Sequence, residues 1–167
     1  ILLYQKLYKP IKKILMIKID VFIKDKNWKK HISNQNKYLN KLAKKINLNF
    51  ITKSKSINFS IRLAGNKEIK FFNKKFRKKN KTTDVLSFPY YETKETRIRL
   101  KLNKNTYLGD IIINLYKIDK RKSKFRKEFN KLLVHGLVHL LGHKHYKNID
   151  FYKMIKIENK ILKQLEC

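Results

Sequence analysis

Apolar positions recur along this chain at two periods, and each change of period marks the edge of an element. Residues 17–23 (IKIDVFI) alternate and are rich in β-branched side chains, which predicts a strand. From Trp28 to about Ile46 the apolar residues Trp28, Ile32, Leu39, Leu42, Ala43 and Ile46 return at roughly helical spacing, predicting a helix with a lysine-rich solvated face. INFSIRLA (57–64) is a second strand. Asn66 can cap the helix that follows, NKEIKFFNKKFRK, whose Ile69, Phe72 and Phe76 form one stripe. TDVLSFPY (83–90) predicts a third strand, stopped by Pro89. Residues 91–106 are charged and irregular, predicting an exposed loop. YLGDIIIN (107–114) is a near-continuous apolar run, predicting a fourth strand buried on both faces, with Asp110 structural.

After a linker near Lys117–Lys122, Ser123 is a candidate cap. Phe125, Phe129, Leu132, Leu133, Leu137 and Leu140 then lie three or four apart. Within LLVHGLVHLL the apolar residues wrap almost all the way round, which predicts a central, buried helix. A last helix is predicted from about Ile149 to Leu165. Strands and helices mix without regular βαβ alternation, so the fold class is α+β: a single domain with a mixed four-stranded sheet and helices packed around the central one.

The chain has 167 residues, of which 42% are hydrophobic, enough for one domain with a core of its own. Charge changes the picture more. There are 43 Lys+Arg against 12 Asp+Glu, a formal net charge of +31, which favours polyanionic partners such as nucleic acid. The lysines are scattered, however, and Asn and Ile are also abundant, as codon drift in an AT-rich genome produces. The charge therefore supports an RNA partner without identifying one. Cys167 is the only cysteine, so no intramolecular disulfide forms, in keeping with a reducing cytoplasm. No stretch is long and apolar enough to span a bilayer. Met16 directly precedes the first strand, so residues 1–15 are expected to be an N-terminal extension and 16–167 the domain.

Four of the five histidines fall within residues 135–145, HGLVHLLGHKH. His135 and His139 are i and i+4, so they project from one helix face a turn apart, suiting two imidazoles on one Zn2+ at about 2.0–2.1 Å each. Gly142 can adopt the left-handed conformation that ends a helix, after which His145 can return as third ligand. Three histidines leave a fourth position open, as in catalytic zinc sites. The plainer alternative, hydrogen-bonded core histidines, requires a polar partner for each buried ring. His143 is an alternative third ligand with less chain in which to turn. The spacing H-x-x-x-H-x-x-G-x-x-H also matches metzincin proteases, but their general-base Glu after the first His is Gly136 here. A glycine in mid-helix is worth about 1 kcal/mol less than Ala, so close packing against Gly136 is expected.

Together HGLVHLLGHKH at 135–145, TDVLSFP at 83–89, LGDIII at 108–113 and Phe76-Arg77 just before the Thr-Asp segment resemble the YbeY-type endoribonucleases, over about residues 16–163. The resemblance implies a zincin-like fold of one mixed sheet with surrounding helices and one Zn2+ on His135, His139 and His145. It also implies single-strand-specific cleavage in ribosomal RNA maturation at the small-subunit 3′ end and in late ribosome quality control. Arg77 would be a catalytic or RNA-binding residue. Its plainer reading is an exposed helix-end arginine. Asp84 and Ser87 are candidates for the groove, or equally a turn cap and a buried strand hydroxyl. Two positions depart from the family pattern: the Asp before the last His is Lys144, and His143 replaces an aromatic that is usually Tyr. An outer carboxylate that orients a ligand is worth about ten- to a hundredfold in metal affinity. The rival reading from another class is a non-catalytic RNA-binding module for ribosome assembly.

Overall fold

A computed structural model of the chain describes residues 15–102, 105–144 and 148–166. The expected extension over 1–15 thus lies outside the described residues except for Leu15, and so does Cys167. Four strands form one mixed sheet: β1 (Met16–Ile23), β2 (Ser56–Ala64), β3 (Val85–Pro89) and β4 (Thr106–Asn114), in the order β1-β2-β4-β3. β1, β2 and β4 run parallel; β3 is antiparallel to β4, with Leu86 opposite Ile112. Pro89 ends β3 at the sheet edge, where its missing N–H costs no ladder bond.

β4 alternates between two apolar environments, as a strand covered on both faces must. Ile111 and Ile113 enter the main core beside Phe129, Leu133 and Leu137, while Ile112 faces a smaller cluster with Ala64, Ile69 and Leu86. The main core lies under α1 (Gln35–Lys45), α4 (Lys122–Leu140) and α5 (Asn148–Glu166), and α2 (Asn66–Arg77) covers the smaller cluster. Asp110 is the exposed exception on β4, and its Oδ1 accepts a hydrogen bond from the Tyr107 hydroxyl at 3.0 Å.

Several expectations change at element ends, where side-chain hydrogen bonds outweigh periodicity. The helix expected over 28–46 is split. A short 3₁₀ turn, Lys26–Lys30, is capped by Asp25, whose carboxylate accepts from the Asn27 N–H at 2.8 Å, and buries Trp28, whose indole donates to the Ala64 carbonyl. The chain then restarts as α1 at Asn34, which accepts from the Lys37 N–H at 2.8 Å. Asn66 is not a cap: Gly65 holds that position, and the Asn66 side-chain Oδ1 accepts instead from the Asn114 Nδ2 at 2.9 Å. Ser123 likewise sits inside α4, which starts after Arg121.

The exposed loop expected over 91–106 contains a helix, α3 (Thr93–Lys101). Only Thr96 and Leu100 of it are buried, too few to register as a stripe. It is held by an i,i+4 ion pair between Glu95 and Arg99 and by the Thr96 hydroxyl bonding back to the Glu92 carbonyl.

α4 packs against β3, β4 and α5. Its approach to β4 is set by Gly136: a Cβ there would lie 2.9 Å from Ile111 Cγ2 and 3.0 Å from Cδ1. Ile111 is fully buried and stiff at χ1, so it cannot swing aside. Gly136→Ala is therefore expected to destabilise. Overpacking of about 1–3 kcal/mol outweighs the roughly 1 kcal/mol gained in helix propensity. In an Ile111→Ala background the same change should cost less or nothing, a non-additivity that chemical denaturation reads directly. A single variant as stable as the parent would contradict the contact.

Candidate metal centre and its groove

His135 and His139 lie on the face of α4 that looks past β3 towards α5. Their rings stand nearly perpendicular, with centroids 4.6 Å apart and the two Nε2 atoms 3.1 Å apart. Both Nδ1 atoms are engaged. That of His135 meets Glu158 Oε1 at 2.8 Å, and that of His139 meets the backbone carbonyl of His143 at 2.9 Å.

These partners decide where the protons sit. A carbonyl oxygen can only accept, so His139 Nδ1 carries hydrogen; the Glu158 carboxylate draws the proton of His135 to Nδ1 in the same way. The two Nε2 atoms meet 3.1 Å apart, a contact that either a shared proton or a cation can bridge. Two bonds of about 2.0–2.1 Å span a 3.1 Å separation comfortably, so one zinc ion can reach both atoms. The donor set fits a metal, with the outer hydrogen bonds already in place.

The helix end that supplies one of those bonds follows from Gly142. It adopts φ +86, and the His143 N–H bonds to the Val138 carbonyl while the Gly142 N–H bonds to that of His139. This is a Schellman ending, which leaves the His143 carbonyl free to turn onto His139 Nδ1.

The remaining site candidates converge on the same place. Arg77, Asp84 and Ser87 line a cavity of about 540 Å3 with His135, His139 and Glu158. A second hollow of about 730 Å3 shares Arg77, Ser87 and His139 and continues to Tyr90, Thr93 and Lys144. Arg77 is the exposed last residue of α2, and its Nη2 donates to the Ser87 carbonyl over a long 3.4 Å. Ser87 is buried on β3. Asp84 accepts from the Val85 N–H and from the Thr83 hydroxyl, so it caps the strand as well as edging the groove.

His145 lies outside the described residues. Among those described, no three His, Cys, Asp or Glu side chains converge on one point. The His143 ring goes elsewhere, into a pocket with Phe50, Arg97 and Leu100, where burial, and then Arg97, holds its pKa below the ordinary value. Its backbone rather than its imidazole serves the pair. Glu158 is the functional residue that the motif reading passes over. It was visible as a carboxylate on the inward stripe of the last helix, four residues after Met154 and three before Ile161, both buried.

Fold and site together define an α+β protein with a paired-histidine helix at an open, basic-edged groove. The family model described as Endoribonuclease YbeY matches residues 22–166. Over 152 residues the chain is 41% identical to Endoribonuclease YbeY of Pelagibacter ubique, covering 89% of this chain and 95% of that one. It is 35% identical to Endoribonuclease YbeY of Fusobacterium nucleatum, over 77% and 80% of the two chains. This chain belongs to the YbeY family. The solution structure of TM1509 from Thermotoga maritima shares the fold, with a TM-score of 0.52 at 23% identity over 89% of this chain and 88% of that one.

The proton positions on the two imidazoles are directly observable by spectroscopy. Long-range proton–nitrogen correlation of the metal-free protein should find both His135 and His139 as the Nδ1–H tautomer, and Glu158→Ala should release His135 from it while leaving His139 unchanged. An Nε2–H tautomer at His139 in the parent protein would overturn the assignment.

Proposed function

We propose that this chain is a zinc-dependent endoribonuclease specific for single strands. It acts in the cytoplasm on ribosomal RNA at the 3′ end of the small-subunit RNA and in late ribosome quality control. One Zn2+ per chain is held by His135, His139 and His145. The observation that carries the reading is the pair of facing Nε2 atoms, each on a ring whose Nδ1 meets an oxygen acceptor. Family membership and the cationic residues along the two hollows, Arg77, Lys79, Lys131 and Lys144, support RNA as substrate. No helix among the described residues is long and apolar enough to cross a membrane.

Hydrolysis of a phosphodiester adds water across one P–O bond. When bound, zinc supplies Lewis acidity and lowers the pKa of water in its open position to about 7. The chain does the rest. Glu158 and the His143 carbonyl hold the imidazoles in orientation and tautomer. Arg77, permanently cationic and fork-shaped, grips the phosphoryl oxygens and steadies the charge that builds on them. Ser87 and Asp84 shape the groove wall beside it.

A second reading, a non-catalytic RNA-binding module in ribosome assembly, is favoured by one feature: Lys144 stands on the groove where the family pattern has an acid. RNA binding that survives chelation, with no cleavage at any metal level, would select it.

His139→Ala is expected to lose zinc and metal-dependent cleavage of single-stranded RNA together while keeping its fold. Undiminished cleavage by a variant that still binds zinc would remove the site assignment. Glu158→Gln is expected to weaken zinc binding about ten- to a hundredfold, measured by competition with a chromophoric chelator.

A further inference from the structure

Tyr90 is a large aromatic side chain left 65% exposed at the end of β3. Among the described residues, it is the one strongly exposed aromatic ring that lines a hollow reaching His139. Such exposure is unfavourable for the free protein, and the surrounding structure holds the ring in place rather than burying it. The Tyr90 N–H donates to the Leu108 carbonyl at 2.9 Å. That closeness depends on Gly109, at φ +125, where a Cβ would sit 2.8 Å from Tyr90 N and 2.1 Å from the Phe88 carbonyl oxygen. The Tyr90 ring meets Tyr91 at 4.8 Å and 86° and Tyr107 at 5.4 Å and 74°, both edge-type contacts that fix its tilt. Tyr91 itself is already occupied, with the Arg99 guanidinium 4.0 Å over its ring. Arg77 and Lys79 line the same hollow and suit the phosphates of a strand whose bases turn towards the ring.

We propose that Tyr90 is a stacking platform for one unpaired nucleobase of the RNA, adjoining the phosphate held at Arg77 and the histidine pair. This rests on the reading of the groove as an RNA site and adds a source for its strand preference. A base paired in a helix has both faces covered by its neighbours, whereas a single strand can turn one out onto an aromatic ring. Stacking tolerates any base, so the platform selects strandedness without selecting sequence.

The test places 2-aminopurine at each position of a short single-stranded oligoribonucleotide in turn and follows its fluorescence on binding to the full chain. One position is expected to be quenched by the parent protein and by Tyr90→Phe, and not by Tyr90→Ala. Binding should weaken about tenfold in Tyr90→Ala, in the range one base–aromatic stack is worth. An abasic nucleotide at the quenched position should weaken the parent by a similar factor and leave Tyr90→Ala unaffected. Equal binding and quenching by Tyr90→Ala, or full additivity of the two changes, overturns the platform. Because the readout is binding, it separates from the catalytic reading. Quenching at Tyr90 without any cleavage would remove the endonuclease and keep the platform, and absence of RNA binding by the parent would remove both.

Discussion

Everything at the site depends on how closely one helix lies on one strand. Gly136 has no side chain where α4 crosses Ile111, and the missing methyl is what lets the helix settle onto β4. His135 precedes that glycine and His139 follows one turn later, so the depth of the helix sets how near both rings come to the edge strand. β3 then supplies Ser87, and α2 ends at that strand with Arg77. α5 lies across the other side and reaches the first imidazole with Glu158. Two stretches of the chain, α2 with β3 and α4 with α5, meet at the site, and the contact at Gly136 sets how closely α4 approaches the sheet there. The same glycine that removes a protease-like base from the motif thus has a packing reason to be there.

The readable part of this protein was the part governed by repetition. Strands with uniform alternation or continuous burial, such as IKIDVFI and YLGDIIIN, lie within a residue of their expected limits. The paired histidines follow directly from helical geometry, and Gly142 ends its helix as its conformational freedom suggests. Single interactions were harder to read. α3 has only Thr96 and Leu100 inside, and its charged residues look like a loop until Glu95 and Arg99 pair. What looks like one helix is two because Asp25 caps a short turn that buries Trp28 and Asn34 then offers its side-chain oxygen to the Lys37 N–H to start α1 anew. Asn66 and Ser123 have the right chemistry to cap, yet neither does, because a cap needs the correct backbone turn as well as the correct side chain. Glu158 belongs to no repeat or motif, and its only sequence signal is an acid set between the buried Met154 and Ile161.

The missed helix matters to the groove. Thr93, at the start of α3, lines the hollow shared by Arg77 and His139, and its carbonyl lies about where a side chain on Gly142 would point. One wall of the candidate substrate path is therefore made from a segment whose composition suggested only solvent exposure. The overall charge is similarly uninformative by itself: a surplus of +31 is scattered along the whole sequence, while what distinguishes this groove is that its cations share a concave surface with two convergent nitrogens.

The helix ending carries a thermodynamic corollary. His139 Nδ1 bonds a carbonyl that is in place only while the last turn of α4 is wound, so a ligand that takes the His135 and His139 Nε2 atoms together binds the wound form more tightly. By linkage, occupancy must tighten that turn by the same free energy that its fraying withholds from binding. Amide hydrogens around Val138–His143 thereby become gauges of site occupancy, exchanging more slowly as the nitrogens fill, although none of them touches the bound species.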